Sequence, residues 1–382
     1  MKKTLIALAV LTVSGASFAQ SSVSIDGQFD NGFQAIDYKG NKVQGFGGNG
    51  STTSQINFRG VQDFGGGLKA DFRVETDWST VSNNANTGVK KADGTVAGVS
   101  TFGNGEIRGG LSGGFGRVDI GAINNAQLDA FLTGQNFGTA VGSAFRGLFV
   151  TDALNPVSGS VVRFDNSVRY ITPSFNGFSA AVLNVQKQTK ANSSNFGGLG
   201  AYDYAGVQEF SLRYNQGPIN AIFASTKQDA TGVSVTAFTA GSAPAFGTSA
   251  TADSTVANAT TQTLGANYTM GDWKFFLLNQ TAKNSLVAGG TNLDRTATTV
   301  SVAYTMGANR FNVQVGNAKN SLTGLKSDLV ALGYDYDLSK TTSLYARYET
   351  IKDTAGIVPA ASTIDGSGTT RNRTALGLRI GF

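Results

Sequence analysis

The side chains of this sequence that could do chemistry are charged residues placed at every second position of strand-like runs. In the clearest run, 68–78, Lys69, Asp71, Arg73, Glu75 and Asp77 alternate with apolar residues and one threonine. Successive side chains of a β-strand point to opposite faces, so such a strand has one charged face and one apolar face. Rings of charge along a water-filled passage create a field that selects between ions.

The composition leaves little room for enzyme chemistry. The 382 residues include no His and no Cys, which excludes a His-dependent triad, His or Cys metal ligands and thiol nucleophiles. An enzyme that uses Lys or carboxylates stays open, but we find no paired-carboxylate constellation to support one. We therefore expect no catalytic residues, no cofactor and no metal.

The net charge of +5 is mild. Without Lys2 and Lys3, 28 basic residues stand against 25 acidic ones, and they are dispersed along the chain. Nucleic acid is therefore not an expected partner.

The first 19 residues have the pattern of a cleaved secretory signal. Lys2 and Lys3 precede a short apolar run, and Ser17 and Ala19 are the small residues before the predicted cleavage site. A helical membrane anchor needs about 20 apolar residues, and this run has roughly half of that. No other segment is long and apolar enough, so residues 20–382 form either a secreted soluble protein or one that spans a membrane as strands.

Strand-like runs recur from Val23 to Phe382 without a domain linker. The last run, 371–382, places Leu376, Leu378 and Phe382 on one face and basic or small residues on the other. We count about 16 strands, the kind of even number found in bacterial barrels. The faces of the runs at 180–188, 219–227 and 273–282 cannot be assigned from the pattern.

The connections between these runs alternate between two lengths. The short turns lie at 172–177, 215–218, 270–272, 306–309 and 337–340. The long stretches, rich in Gly, Ser, Thr and Asn, lie at 79–104, 190–206, 229–259, 283–294 and 352–370. This layout predicts an all-β fold, a transmembrane antiparallel up-and-down β-barrel with short turns on one rim and long loops on the other.

An aromatic residue stands before each of the short turns. These residues are Tyr170, Tyr214, Tyr268, Tyr304 and Tyr336, and the tetrapeptide YTMG occurs at both 268–271 and 304–307. Amphipathic rings at one level of a spanning sheet form a girdle at the membrane interface. We predict that these tyrosines and Phe382 are interface residues.

Several stretches resemble the general porins of Gram-negative bacteria. The similar motifs are RGVQDFGGGL at 59–68, LSGGFGRVDIG at 111–121, RFDNSVRYITPSFNGFS at 163–179, YDLSKTTSLY at 336–345 and GLRIGF at 377–382. The resemblance implies a homotrimer of 16-stranded barrels in outer-membrane lipid, each narrowed by a third outer loop that folds inward. It also implies that Phe382 is read by the barrel-insertion machinery.

The resemblance places a pore constriction within this barrel. The inward loop would cover about 123–160 and carry Asp129, opposite wall arginines that include Arg59 and Arg163. Arg73, Arg108 and Arg169 are further candidates, because a charge costs about 2–4 kcal/mol when it faces lipid at the bilayer midplane and little when it faces a wet lumen.

The reading that follows is a passive diffusion channel for ions and small hydrophilic solutes in the outer membrane. Because arginine dominates the inferred lumen, we expect a preference for anions. Ala122 and Gly105 stand where the family often has arginine, so the preference is expected to be mild. A substrate-specific channel, a surface adhesin or structural barrel without open conductance, and a secreted β-solenoid are the alternatives.

Overall fold

The computed structural model describes residues 21–38, 41–78, 80, 102–146, 148–149, 162–187, 205–229, 256–286, 294–321, 324, 326–353 and 370–382. The predicted signal segment, 1–19, lies outside the described residues. The strands are β1 (Ser22–Tyr38), β2 (Asn41–Gly48), β3 (Gln55–Asp63), β4 (Lys69–Asp77), β5 (Ile107–Gly113), β6 (Gly116–Asn124), β7 (Arg163–Ile171), β8 (Phe178–Val185), β9 (Gly206–Gln216), β10 (Ile219–Asp229), β11 (Val256–Met270), β12 (Trp273–Leu286), β13 (Asp294–Met306), β14 (Asn309–Asn320), β15 (Lys326–Asp337), β16 (Thr342–Asp353) and β17 (Thr370–Gly381).

These strands form one antiparallel sheet that closes on itself. The first and last strands make the seam, where Gln28–Tyr38 of β1 pair with Arg371–Gly381 of β17. Closure leaves no free strand edge, which is the condition for strands to span lipid. The predicted transmembrane β-barrel is confirmed.

The barrel has 16 wall positions although 17 strand segments are described. The C-terminal half of β1, from Asn31 to Tyr38, pairs with β2, and its N-terminal half, from Ser22 to Gln28, pairs with β3. Segments β2 and β3 are therefore one second strand, interrupted at residues 49–54. We call residues 49–54 the break segment. The expected number of about 16 strands holds, and the extra segment arises from this interruption.

Alternation of side chains gives the wall two faces. Along β13, Val300 is exposed on the outside, while Thr299 and Ser301 are buried on the lumen side. The faces that the sequence pattern left open are now assigned, because Leu183, Ile222 and Leu278 point inward and are buried. Apolar residues on the inner face are unusual for a wet lumen, and they mark where something packs against the wall.

The packing element is the connection between β6 and β7, the constriction loop. It begins at Asn125, whereas Ile123 still belongs to β6, and it includes helix α1 (Ala126–Thr133) and a 3₁₀ helix (Ala144–Arg146). Asn125 caps α1, since its side-chain oxygen accepts a hydrogen bond from Leu128 N at 2.9 Å.

The main hydrophobic core of the described residues lies inside the barrel. Phe131, Phe145, Phe149 and Leu148 of the loop pack against inward residues of β12–β16 such as Leu278. The ring centroids of Phe131 and Phe149 are 4.8 Å apart. The loop phenylalanines therefore hold the loop to the wall. Among the described helices, none has the length and apolar character needed to cross a bilayer.

Candidate constriction site

Six arginines lie on the inner face of adjacent strands β3 to β7. We call this set the arginine wall: Arg59, Arg73, Arg108, Arg117, Arg163 and Arg169. The structure brings together all five arginines predicted for the constriction, and Arg117 joins them although the sequence did not single it out for this site. The alternation along β6 places its side chain on the inner face, and this was the signal in the sequence that could have found it.

Three of these arginines stand directly opposite one another across the sheet. Arg59 is in register with Arg73, and Arg73 is in register with Arg108. Like charges at opposed positions destabilise a sheet unless opposite charges separate them. Carboxylates do so here: Arg73 Nη1 lies 2.8 Å from Glu106 Oε2, and Arg73 also pairs with Glu75.

Asp119 of β6 contacts three arginines of the wall. Its carboxylate lies 2.6 Å from Arg117, 2.8 Å from Arg169 and 3.3 Å from Arg108. Asp71 completes the network at 2.6 Å from Arg108. Each arginine is thus held in one place by at least one carboxylate, and such charge-assisted pairs restrict the direction of the guanidinium.

The two charges of this network differ in their access to water. The side chains of Arg73, Arg108, Arg163 and Arg169 are 14–18% exposed, whereas Glu75 and Glu106 are 6% exposed and Asp119 is fully buried. The guanidinium groups therefore border the lumen, and most of the carboxylates lie behind them. Arg59 is different, because it and its partner Asp26, 2.5 Å away, are both well exposed.

Arg163 reaches the wall through an irregular part of β7. The alternation of side chains is interrupted at the start of β7, because the register shifts opposite Gly121 and Ile123, and Asn166 has φ +52°. Phe164 consequently turns inward and packs with Ile123. The Arg163 guanidinium donates to Asn104 O at 3.0 Å and lies 3.4 Å from Glu75.

Asp129 projects from α1 on the other side of the site. Its Oδ2 lies 3.5 Å from Arg213 Nη2 of β9. The start of α1 is fixed to the same strand, since Glu209 accepts a hydrogen bond from Ala126 N at 2.6 Å. The end of α1 lies directly on β11, where a Cβ at Gly265 would overlap the Ala130 carbonyl. A glycine there is what permits the helix to lie flat on the wall.

The described part of the loop lies along β9–β17 and reaches the break segment, and the arginine wall occupies β3–β7. Gln127 illustrates the attachment, because its Nε2 donates to Thr226 Oγ1 at 2.8 Å and to Thr261 O at 3.1 Å. Asp129 therefore lies on the loop side of the lumen, and the guanidinium groups of the arginine wall lie on the part of the wall that the described loop leaves uncovered. No group of three or more potential metal ligands occurs within the described residues.

The predicted interface tyrosines lie on the outer face of the barrel beside the short turns. Tyr304 packs on Trp273, with ring centroids 4.4 Å apart, and Tyr214 packs on Phe178 at 4.7 Å. The partner rings, Phe178 and Trp273, follow the short turns, whereas the sequence pattern predicted interface rings only before them. Phe382 closes the seam, where its backbone N donates to Gly27 O at 3.1 Å.

Comparison with known proteins decides the family. A profile of the Gram-negative porin family matches residues 4–356. The chain belongs to the Gram-negative porin family. This porin is 29% identical to outer membrane porin protein 32 of Delftia acidovorans, over 100% of this chain and 99% of that protein. It is 30% identical to the major outer membrane protein P.IB of Neisseria gonorrhoeae, over 57% of this chain and 59% of that protein.

Solved structures show the same fold. An anion-selective porin from Comamonas acidovorans superimposes with a TM-score of 0.73 at 23% identity, covering 95% of this chain and 100% of that one. The trimer form of OmpT from Vibrio cholerae gives a TM-score of 0.63 at 15% identity, covering 95% and 99%. The protein is thus a porin of the Gram-negative outer membrane.

Proposed function

We propose that this porin is a passive diffusion channel for ions and small hydrophilic solutes that favours anions mildly. The observation that supports the preference is the layering of the arginine wall, in which guanidinium groups border the lumen and most of their carboxylate partners are buried behind them. A solute in the passage meets the nearer layer first, and its positive charge lowers the energy of an anion relative to a cation.

We propose further that the narrowest point is formed by Asp129 and by Arg59, Arg73, Arg108, Arg163 and Arg169. Asp129 lies on the constriction loop, and the five arginines lie on the part of the wall that the described loop does not cover. This arrangement supports the assignment. We expect Arg163 to contribute more to the anion preference than Arg59. The Arg163 charge borders the lumen with its partner Glu75 buried, whereas the Arg59 charge is compensated by an equally exposed Asp26.

The test is the reversal potential of the purified porin across a potassium chloride gradient in a planar bilayer. We expect a sign that reports chloride preference, a clear decrease of that preference in Arg163→Gln and a smaller decrease in Arg59→Gln. A cation-selective wild-type channel would overturn the proposed sign. Unchanged ratios in both variants would show that other groups form the constriction.

The same bilayers separate the alternative functions. A plugged adhesin or structural barrel would give no ohmic conductance. A substrate-specific channel would show conductance block that saturates with the concentration of one solute. A general pore conducts ohmically and shows neither behaviour.

We propose that the barrel is a homotrimer with a cleaved signal at 1–19, and that its Tyr residues before the short turns and Phe382 lie at the membrane interface. Exposed apolar side chains on β1–β3, among them Val23, Ile25 and Phe46, offer a surface for contact between subunits. The mass of the detergent-solubilised particle tests this assembly, and a monomeric mass under native conditions would contradict it.

A further inference from the structure

The break segment of the second strand is built around one buried carboxylate that lies outside the arginine wall. Asp30 of β1 has no exposed surface, and its side chain accepts four hydrogen bonds. Three come from backbone N–H groups of the break segment, those of Gly50 at 3.2 Å and of Ser51 and Thr52 at 2.7 Å. The fourth comes from the Tyr345 hydroxyl at 2.6 Å. A carboxylate satisfied in this way fixes the conformation of the backbone around it.

Tyr345 reaches Asp30 from two strands away. It belongs to β16, and β17 lies between β16 and β1. The Tyr345 ring crosses β17 over Gly377, where a Cβ would lie 2.5 Å from the ring carbon Cζ. The ring is buried, and it packs with Val141 of the constriction loop. Asp30 and Tyr345 therefore form one buried unit across the seam of the barrel.

The break segment contacts the tip of the constriction loop, residues 139–142. Val141 N donates to Gly50 O at 3.3 Å, and the hydroxyls of Thr53 and Thr139 are 3.0 Å apart. Beyond these contacts, Gly142 N donates to Glu349 at 2.9 Å. The loop tip is thus held between the break segment and β16, on the far side of the lumen from the start of α1.

We propose that Asp30 and Tyr345 are positioning residues that hold the tip of the constriction loop and thereby keep the size of the passage constant. This proposal rests on the proposed channel function. Neither side chain borders the passage. Asp30 acts on Val141 and Thr139 through the break segment, and Tyr345 acts both through Asp30 and by packing on Val141. The loop forms one boundary of the passage, so a tip that detaches changes the free cross-section between the loop and the arginine wall.

The test combines two conservative variants with a reversible cross-link. Tyr345→Phe removes one hydroxyl and keeps the ring, and Asp30→Asn keeps the shape and removes the charge. In each we expect the frequency of transitions away from the main conductance level to rise at least about tenfold, the population change expected for one lost hydrogen bond to a charged group. The chain has no Cys, so Thr53→Cys with Thr139→Cys supplies the only two thiols.

Oxidation of that thiol pair in the Tyr345→Phe background should restore the wild-type transition frequency, and reduction should abolish the rescue. A role limited to barrel stability would leave the frequency unaffected by the cross-link. If Asp30→Asn fails to fold, Tyr345→Phe and Thr53→Ala carry the test, because neither changes a charge. Wild-type transition frequencies in the folded variants, or no rescue on oxidation, would overturn the proposal. A wild-type protein without conductance would instead overturn the channel function.

Discussion

Replacement of Asp129 by Asn offers the sharpest test of how the constriction works. Asp129 is 46% exposed and lies 3.5 Å from Arg213, so its negative charge compensates that arginine at the edge of the passage. Two unit charges about 4 Å apart interact by about 1 kcal/mol in water. Removal of the carboxylate leaves the Arg213 charge to act on a passing ion, at a similar distance and in a similarly wet environment. An added preference of about 0.5–1 kcal/mol corresponds to about a two- to fivefold higher ratio of chloride to potassium permeability.

The chain contains a closely matched control. Asp229 is also 46% exposed and lies 3.4 Å from a basic partner, Lys187, but it is at the long-loop end of β10. Asp229→Asn removes the same charge outside the constriction, so we expect no change of the permeability ratio. Both variants keep the size of the side chain, which separates the effect of charge from that of volume.

The assay is the reversal potential measured in about 0.1 M and about 1 M potassium chloride. The Debye length falls from about 10 Å to about 3 Å over this range, so the effect of Asp129→Asn should be largest at the lower concentration. An unchanged ratio at the lower concentration, or an equal change in Asp229→Asn, would refute the view that this carboxylate offsets the arginines.

Two further predictions concern the loop and the seam. Phe131→Ala should cost about 3–5 kcal/mol of loop attachment, since the ring is fully buried and packs edge-on against Phe145. Larger and more variable single-channel currents from an intact barrel would confirm this prediction. Phe311→Ala, which removes an exposed outer ring, serves as the control. Equal currents in the two variants would contradict the prediction. Phe382→Ala should slow assembly catalysed by the insertion machinery in liposomes and leave the rate of spontaneous folding in detergent unchanged. If catalysed assembly and spontaneous folding are slowed equally, the ring acts by packing on Gly27 instead.

The barrel itself could be predicted from the sequence because its rule is local. In β4 every second residue is charged, and this alternation fixes both faces without knowledge of the neighbouring strands. The same rule failed where the lumen is not wet. Ile222 and Leu278 face inward because the constriction loop covers them, and Leu183 because Ile123 of β6 and Phe164 of β7 pack on it. Nothing within their own strands reveals that cover.

The members of the site could be predicted better than their interactions. Alternation placed Arg73 and Arg163 on the inner face, but the contact of both with Glu75 depends on the register of the four strands β4–β7 and on the irregularity of β7. Helix α1 was missed because eight residues of loop carry too short a pattern to stand out. The break segment was missed for a related reason, since its conformation depends on Asp30, which is about 20 residues away along the chain.

The seam between β1 and β17 has a consequence for how the molecule is made. The first strand of the wall can find its final partner only when the last has left the ribosome, some 350 residues later. A sheet that formed before that moment would have two unpaired strand edges and an apolar outer face, and both would be exposed to water. Biogenesis must therefore delay folding until synthesis and export are complete, because an early start would produce an aggregate.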